Sequence, residues 1–337
     1  MPTEGGAAWR TGSPLGARML PVGVLCGLAA GLAALLGAPA CARRCQAGVP
    51  EQAGAEGAAR LAAPMPSCGR AELIGIVASP RISECSGMAC SRSQPILWVH
   101  NDSGDRARCY GIDTTGCLRA VVTLAGATAR DWEDMAVGPH PGGGDALYLA
   151  DIGDNRARRA RVRVYRLAEP HLEPAPAPAE LVVAEWDALD LVFPDRPHDA
   201  ETLLVEPDTG DLYVLTKEKD GRSGLYRAAW PPGATEARME LALVLQFGVD
   251  PLHGSRRATG GDVSADGARA VIRTYNRVFM FAGTVGMGLP ALLSTPPRSM
   301  PVPFVRDGEA IAMTPDGKTY YLLSEGGRQP LYRVACQ

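Results

Sequence analysis

The chain reads as an all-β protein, a β-propeller of five blades, on three observations: an acidic phrase that recurs, a series of equivalent positions at blade-length spacing, and the lack of sustained helical periodicity after residue 70. The phrase is Asp131-Trp132-Glu133, then Asp199-Ala200-Glu201, then Asp307-Gly308-Glu309, each running into an apolar stretch. Behind each copy come a turn and a second run, Leu147–Asp151, Leu212–Lys217 or Tyr320–Glu325, and then a Tyr-Arg strand. Two weaker copies align through their turn residues and place Ser86 and Thr259 where the others carry the glutamate. Taking Ser86, Glu133, Glu201, Thr259 and Glu309 as equivalent gives spacings of 47, 68, 58 and 50 residues, with insertions in the second and third units. Six blades remain the alternative if an insertion hides a degenerate one.

Within each unit the runs are short, rich in Val, Leu, Ile and Tyr, and separated by turns such as Asp208-Thr209-Gly210-Asp211 and Pro315-Asp316-Gly317-Lys318. Such runs form antiparallel strands joined by tight turns. The fifth unit stops after a third strand at Leu331–Val334, while Glu72–Val77 is an orphan strand ahead of the first unit. The expected closure puts this N-terminal strand on the last blade, which removes an exposed sheet edge.

Residues 1–41 are expected to be a signal peptide or lipoprotein signal, 42–67 a flexible linker and 68–337 the propeller. Arg10 and Arg18 precede an apolar stretch from Met19 to Leu36, and Ala38-Pro39-Ala40-Cys41 follows. Cleavage at Ala40, lipidation at Cys41 and retention as a membrane anchor stay open, and all three put the domain outside the cytoplasm: periplasmic, secreted or lipid-anchored to the envelope. Eight cysteines beyond the apolar segment suit an oxidising compartment. Cys68 with Cys336 would staple the closing blade, Cys109 with Cys117 would cross a hairpin, and Cys85 and Cys90 form either a bridge or two free thiols. No C-x-x-C pair or His cluster points to zinc. A net charge of −3 argues against a nucleic-acid footprint. The five arginines of Arg156–Arg163 are the one basic run and read as a solvated loop.

In a propeller blade the innermost strand begins, and the second strand ends, on the same face of the disc. The acids occupy the first location; Asn101-Asp102, Asp151 with Asp154-Asn155, Lys217-Glu218, Arg273 and Glu325 occupy the second. Residues two apart on a strand, such as Asp131 and Glu133, point to one side. Polar side chains therefore converge on one mouth of the central channel. Converging carboxylates raise one another's pKa unless a cation compensates, and calcium accepts six to eight oxygen ligands in flexible geometry. The candidate ligands are Glu133, Glu201 and Glu309, followed by Asn101, Asp102, Asp151 and Asn155. The alternative is a water-filled channel whose acids bind backbone amides. Lys217 and Arg273 are candidates for stabilising developing negative charge, and Asp199, preceded by His198, for general base. The lack of a G-x-S-x-G elbow disfavours serine-triad chemistry.

Asn101-Asp102-Ser103-Gly104-Asp105, Asp131-Trp132-Glu133-Asp134, Asp151-Ile152-Gly153-Asp154-Asn155, Asp199-Ala200-Glu201 and Arg273-Thr274-Tyr275 together resemble a group of secreted, largely uncharacterised bacterial β-propeller proteins. Esterase-like phytase and SMP-30/gluconolactonase propellers are its distant relatives. The resemblance spans residues 72–335 and implies calcium or another divalent ion in the central channel. The expected function is an exported monomer that binds a divalent cation at the channel mouth. Two readings stay open: a metal-assisted hydrolase of phosphate esters or lactones acting on a small anionic substrate, or a non-catalytic protein that binds or scaffolds an envelope component.

Overall fold

The computed structural model describes residues 64–218, 222–247, 257–303 and 305–337. The expected signal and most of the linker lie outside these residues. Five sheets follow one another around an axis. Blade 1 runs outward through Cys85–Cys90, Ile96–Asn101, Arg108–Asp113 and Leu118–Leu124; blade 2 through Trp132–Pro139, Asp145–Asp151, Val162–Ala168 and Asp187–Val192. Blade 3 comprises Ala200–Val205, Leu212–Thr216, Gly224–Ala228 and Ala242–Gln246, and blade 4 Ala258–Val263, Arg269–Thr274, Arg277–Ala282 and Arg298–Met300. Blade 5 takes Gly308–Met313, Thr319–Ser324 and Gln329–Ala335 from the C-terminus and Glu72–Val77, antiparallel to the last of these, from the N-terminal side. Among the described residues the single helix is the four-residue turn Leu289–Leu292.

The irregular spacings have a structural cause. Ala179–Val183, from the insertion in the second unit, pairs in parallel with the edge of blade 1. Glu236–Glu240, from the third, does the same on blade 2. Each insertion hands a fifth strand back to the preceding blade and hides no sixth one.

Apolar clusters fill all five interfaces between neighbouring blades. Trp98, Val122, Met135 and Leu149 pack between blades 1 and 2; Tyr148, Leu191, Leu203 and Val214 between blades 2 and 3; Leu215, Leu225, Ile272 and Phe281 between blades 3 and 4. Met280, Ile311 and Tyr320 join blade 4 to blade 5, and Val77, Met88, Val99 and Leu323 join blade 5 to blade 1. Side chains on an inner strand alternate between its two neighbours, so Met88 faces one interface and Ala89 the other. Inner strands are buried throughout and rich in Gly and Ala, which lets five of them crowd one axis. A Cβ on Gly261 would lie 2.8 Å from Thr202 and 2.9 Å from Leu204 of the neighbouring blade.

One carboxylate ties this axis together. Asp134 is fully buried and accepts from the backbone N–H of Leu203 in blade 3 (2.9 Å), of Gly261 in blade 4 (3.2 Å) and of its own neighbour Met135 (2.8 Å). Asp262 repeats the device two blades on, in blade 4, accepting from Met313 of blade 5 and from its own neighbour Val263, each at 2.7 Å.

The Cys68–Cys336 disulfide joins the two ends of the domain, beside mutual backbone hydrogen bonds between Ser67 and Gln337. The other expected bridges do not form: Cys85, Cys90, Cys109 and Cys117 are free. Cys109 pairs in register with Val122, up the hairpin from the turn that carries Cys117, and packs into the blade 1–2 core while Cys117 is exposed. Cys85 and Cys90 end one strand five residues apart, about 16 Å along an extended backbone and beyond disulfide reach.

Two outcomes are expected. Asp134→Ala leaves two interblade N–H groups without an acceptor at the axis and should destabilise the fold by about 3 kcal/mol or more in denaturant titration; a loss under 1 kcal/mol would show that the axis does not depend on it. In residues 64–337 purified without reductant, thiol titration should count four thiols after unfolding and Cys117 alone before it, and serine at Cys68 and Cys336, which close a span of 268 residues, should cost about 5 kcal/mol on the chain-entropy model.

Candidate functional site

The five aligned positions share one backbone device. In every blade the pairing of the first strand with the second shifts register at its start, between Cys85 and Gly87, Trp132 and Asp134, Ala200 and Thr202, Ala258 and Gly260, and Gly308 and Ala310. The residues left out of the ladder by these β-bulges are Ser86, Glu133, Glu201, Thr259 and Glu309. A bulge re-aims the side chain it carries, and these five belong to neighbouring inner strands at one end of the axis.

Where the acid is missing, a hydroxyl staples blades instead. Ser86 Oγ donates to the carbonyl of Glu133 at 2.6 Å, and Thr259 Oγ1 donates to that of Gly308 at 3.0 Å. Both bonds reach the next blade at its own bulge. That leaves three glutamates, each at most 6% exposed.

Around this ring sit the half-buried acids Asp102, Asp131, Asp199 and Glu325. Asp102, Asp131 and Glu133 each offer a carboxylate oxygen within 4.8 Å of the others. Gly153 makes room for two of them, because a Cβ there would collide with both Glu133 and Asp131. Burial, then the charge of Asp102, pushes Asp131 up to about 6. Glu133 is held well above the usual carboxylate range by burial, with Glu201 and Asp102 adding to it. Burial raises Glu201 to about 8 against the opposing effect of Lys217, and burial with the Glu201 charge raises Glu309 to about 9. One oxygen of Glu201 and one of Glu309 are buried without a hydrogen-bond partner. Such orphans are costly.

Of the other candidates, Lys217 belongs to this group. Its ammonium contacts Glu201 and lies 5.0 Å from the Tyr275 ring centroid, and although burial opposes its charge, Glu201 holds its pKa above the ordinary lysine value. Asp199 is half-buried, has one oxygen on the Asp154 N–H (2.8 Å), and is raised by burial. His198 points elsewhere, into a cluster with Glu218 (2.6 Å), Asp195 and Tyr226. Arg273 is buried as a strut between blades: it donates to the carbonyls of Ala310 (2.5 Å) and Leu323 (2.9 Å) of blade 5, and burial brings it down to about 10 despite Glu309. Asn101 uses both ends of its amide on the loop before blade 1 and on Asp105. Asp151 is paired with Arg159 at 2.7 Å and accepts from Arg130 N and Asp131 N. Asn155 is exposed in a neighbouring cleft. Asp131 was absent from the sequence-derived ligand set, although its i, i+2 relation to Glu133 signalled a shared side.

No family model matches the chain, and no curated protein does. Solved structures do. A structural-genomics protein assigned provisionally as a gluconolactonase aligns at 12% identity over 80% of this chain and 92% of its own, with a TM-score of 0.42. The soluble aldose sugar dehydrogenase of Escherichia coli aligns at 10% identity over 80% and 99%, with a TM-score of 0.45, and a glucose dehydrogenase at 11% over 79% and 99%, with a TM-score of 0.44. The chain is thus similar to gluconolactonase and sugar-dehydrogenase propellers. At these identities the likeness bears on no activity.

The raised carboxylates give a pH dependence of defined sign. They keep protons in the native state that the unfolded chain, with carboxylates near 4, has already lost, so the native state binds more protons across that window. Chelator-treated protein should therefore lose stability as the pH rises from about 5 to 9, the span set by Asp131, Glu201 and Glu309. Denaturant titrations at pH 5, 7 and 9 check this; constant or rising stability would contradict it.

Proposed function

We propose that the channel mouth binds a divalent cation, calcium, and that the protein is an extracytoplasmic metal-assisted hydrolase whose scissile group is a lactone or a similar uncharged ester. The observation that carries this reading is the gathering of Asp102, Asp131 and Glu133 within 4.8 Å beside two orphaned buried oxygens of Glu201 and Glu309. Two oxygens on one calcium lie at most about 5 Å apart, given ligand distances of 2.3–2.6 Å. The donor set is carboxylate oxygen, which suits a hard cation. Asp102, Asp131 and Glu133 would hold the ion, with Glu201 next to them. A bound cation supplies polarisation of the ester carbonyl and of water.

The remaining chemistry belongs to the chain. Asp199 has one oxygen fixed by Asp154 and is half-open to solvent, and burial makes it a better base than a free aspartate. It accepts the proton of the attacking water and returns it to the alkoxide oxygen as the acyl C–O bond breaks, leaving an alcohol and a carboxylic acid that ionises. Lys217, held between Glu201 and Tyr275, places positive charge where the carbonyl oxygen becomes negative. An uncharged scissile group is favoured over a phosphate ester because Arg273 is spent inside the fold and Lys217 is already matched by Glu201. The Cys68–Cys336 bridge fits an oxidising compartment. Among the described residues no helix is long and apolar enough to cross a membrane.

Calorimetric titration of calcium into residues 64–337 should show one site that is lost in Asp131→Asn/Glu133→Gln, with tighter binding at pH 8 than at pH 6 because the ion displaces protons. Lactone turnover should disappear with chelator and fall at least 100-fold in Asp199→Asn. Calcium binding without turnover of any lactone or ester would favour a binding or scaffold role at the envelope.

A further inference from the structure

The arginine run of Arg156–Arg163 is divided by the fold into two sets. Arg159 is buried on Asp151 (2.7 Å) and on the Gly153 carbonyl (2.8 Å). Arg161 and Arg163 both pair with Asp190, at 3.0 and 2.6 Å. Arg156 and Arg158 are left exposed, and among the described residues no ion pair engages their guanidinium groups. The same holds for Arg130, just before the acidic phrase of blade 2. These three arginines line one cleft of about 280 Å³ together with Asp131, Gly153, Asp154, Asn155 and Arg159.

The position of this cleft gives it meaning. Asp131 and Gly153 belong both to it and to the carboxylate group of the channel mouth, so the cleft opens directly beside the proposed cation. Its wall is braced from beneath: Asp154 is buried and accepts from the backbone N–H groups of Arg158 (2.5 Å) and Arg159 (2.6 Å). The charges of Asp154 and Asp151 are thereby turned to the loop itself, which leaves three guanidinium groups at the rim with Asp131 at the inner edge. Guanidinium forks match the planar oxygens of carboxylates and phosphates. Exposed arginines with no partner, next to a site that must hold a substrate, supply the recognition that the acidic mouth cannot.

We propose that Arg130, Arg156 and Arg158 form a subsite for an anionic substituent, so that the substrate is a lactone or ester carrying a second, acidic group, a carboxylate or phosphate, remote from the bond that is cleaved. This inference rests on the hydrolase reading and names the substrate class of that site. It also accounts for an anionic substrate meeting an acidic mouth: the neutral scissile carbonyl lies over the carboxylates and cation while the acidic end stays on the arginines.

The test separates the cleft from the reaction. Calorimetry on chelator-treated protein, with inorganic phosphate and with a sugar dicarboxylate as probes, should show saturable binding that weakens with salt and falls at least tenfold in Arg156→Ala/Arg158→Ala, while Arg156→Lys/Arg158→Lys retains a part of it. An unchanged melting temperature shows that the variant is folded. With calcium restored, a sugar lactone bearing a carboxylate, one bearing a phosphate and a neutral one are then compared. The alanine variant should raise KM at least tenfold for an acidic lactone and leave the neutral one unaltered, and the better acidic substrate identifies the substituent. Anion binding at the arginines without turnover of any lactone sustains the cleft and refutes the hydrolase. Absence of anion binding, or turnover whose preference for acidic lactones survives in the alanine variant, overturns the subsite.

Discussion

The carboxylate of Asp134 at the propeller axis is the interaction on which the rest depends. A five-bladed ring brings its inner strands so close that no wide channel remains, and their first backbone groups have no neighbour within their own sheet toward the axis. Asp134 accepts from blades 3 and 4 while standing on blade 2, and Asp262 links blade 4 to blade 5. Ser86 and Thr259 add hydroxyl staples from blade 1 to 2 and from blade 4 to 5. The axis is therefore closed by side chains that the apolar interfaces cannot replace, since a buried N–H needs an acceptor whatever surrounds it.

This closure also sets the chemistry of the mouth. The five bulges release one side chain per blade from the sheet ladder. Two of the five close the ring, and three are glutamates held at low exposure above it. Because they are packed at the end of a plugged axis, water cannot fully solvate them, and burial rather than mutual repulsion is the largest cause of their raised pKa values. The site is thus primed for positive charge: Lys217 supplies one, and the group of Asp102, Asp131 and Glu133 is left to find another.

Much of the architecture was legible because it is written in period. The recurrent Asp-x-Glu, the turn residues that fixed the alignment and the orphan strand at Glu72–Val77 led to five blades and to equivalent positions that coincide with the five bulges. The Cys68–Cys336 bridge was legible for a related reason, since both cysteines lie next to the ends that closure must bring together. Cys109 and Cys117 misled because proximity in sequence across a turn says nothing of the offset along the hairpin.

By itself, then, the sequence determined the repeat and which end of the axis gathers acids, because both follow from local patterns that every unit must satisfy alone; that the insertions add edge strands and no sixth blade was decided by the tertiary structure. Only the tertiary structure decided which polar residues remain available. Arg273, Asn101 and Asp151 look like site residues in one dimension, yet Arg273 is spent on carbonyls of the next blade, and Asn101 and Asp151 on loops that flank their own blades. Among the described residues, no hydrogen bond or ion pair engages the side chains of Asp131, Arg130, Arg156 and Arg158. Whether a polar side chain is spent or free depends on what the fold places opposite it, and that is a property of tertiary contacts between strands, loops and blades rather than of any one strand.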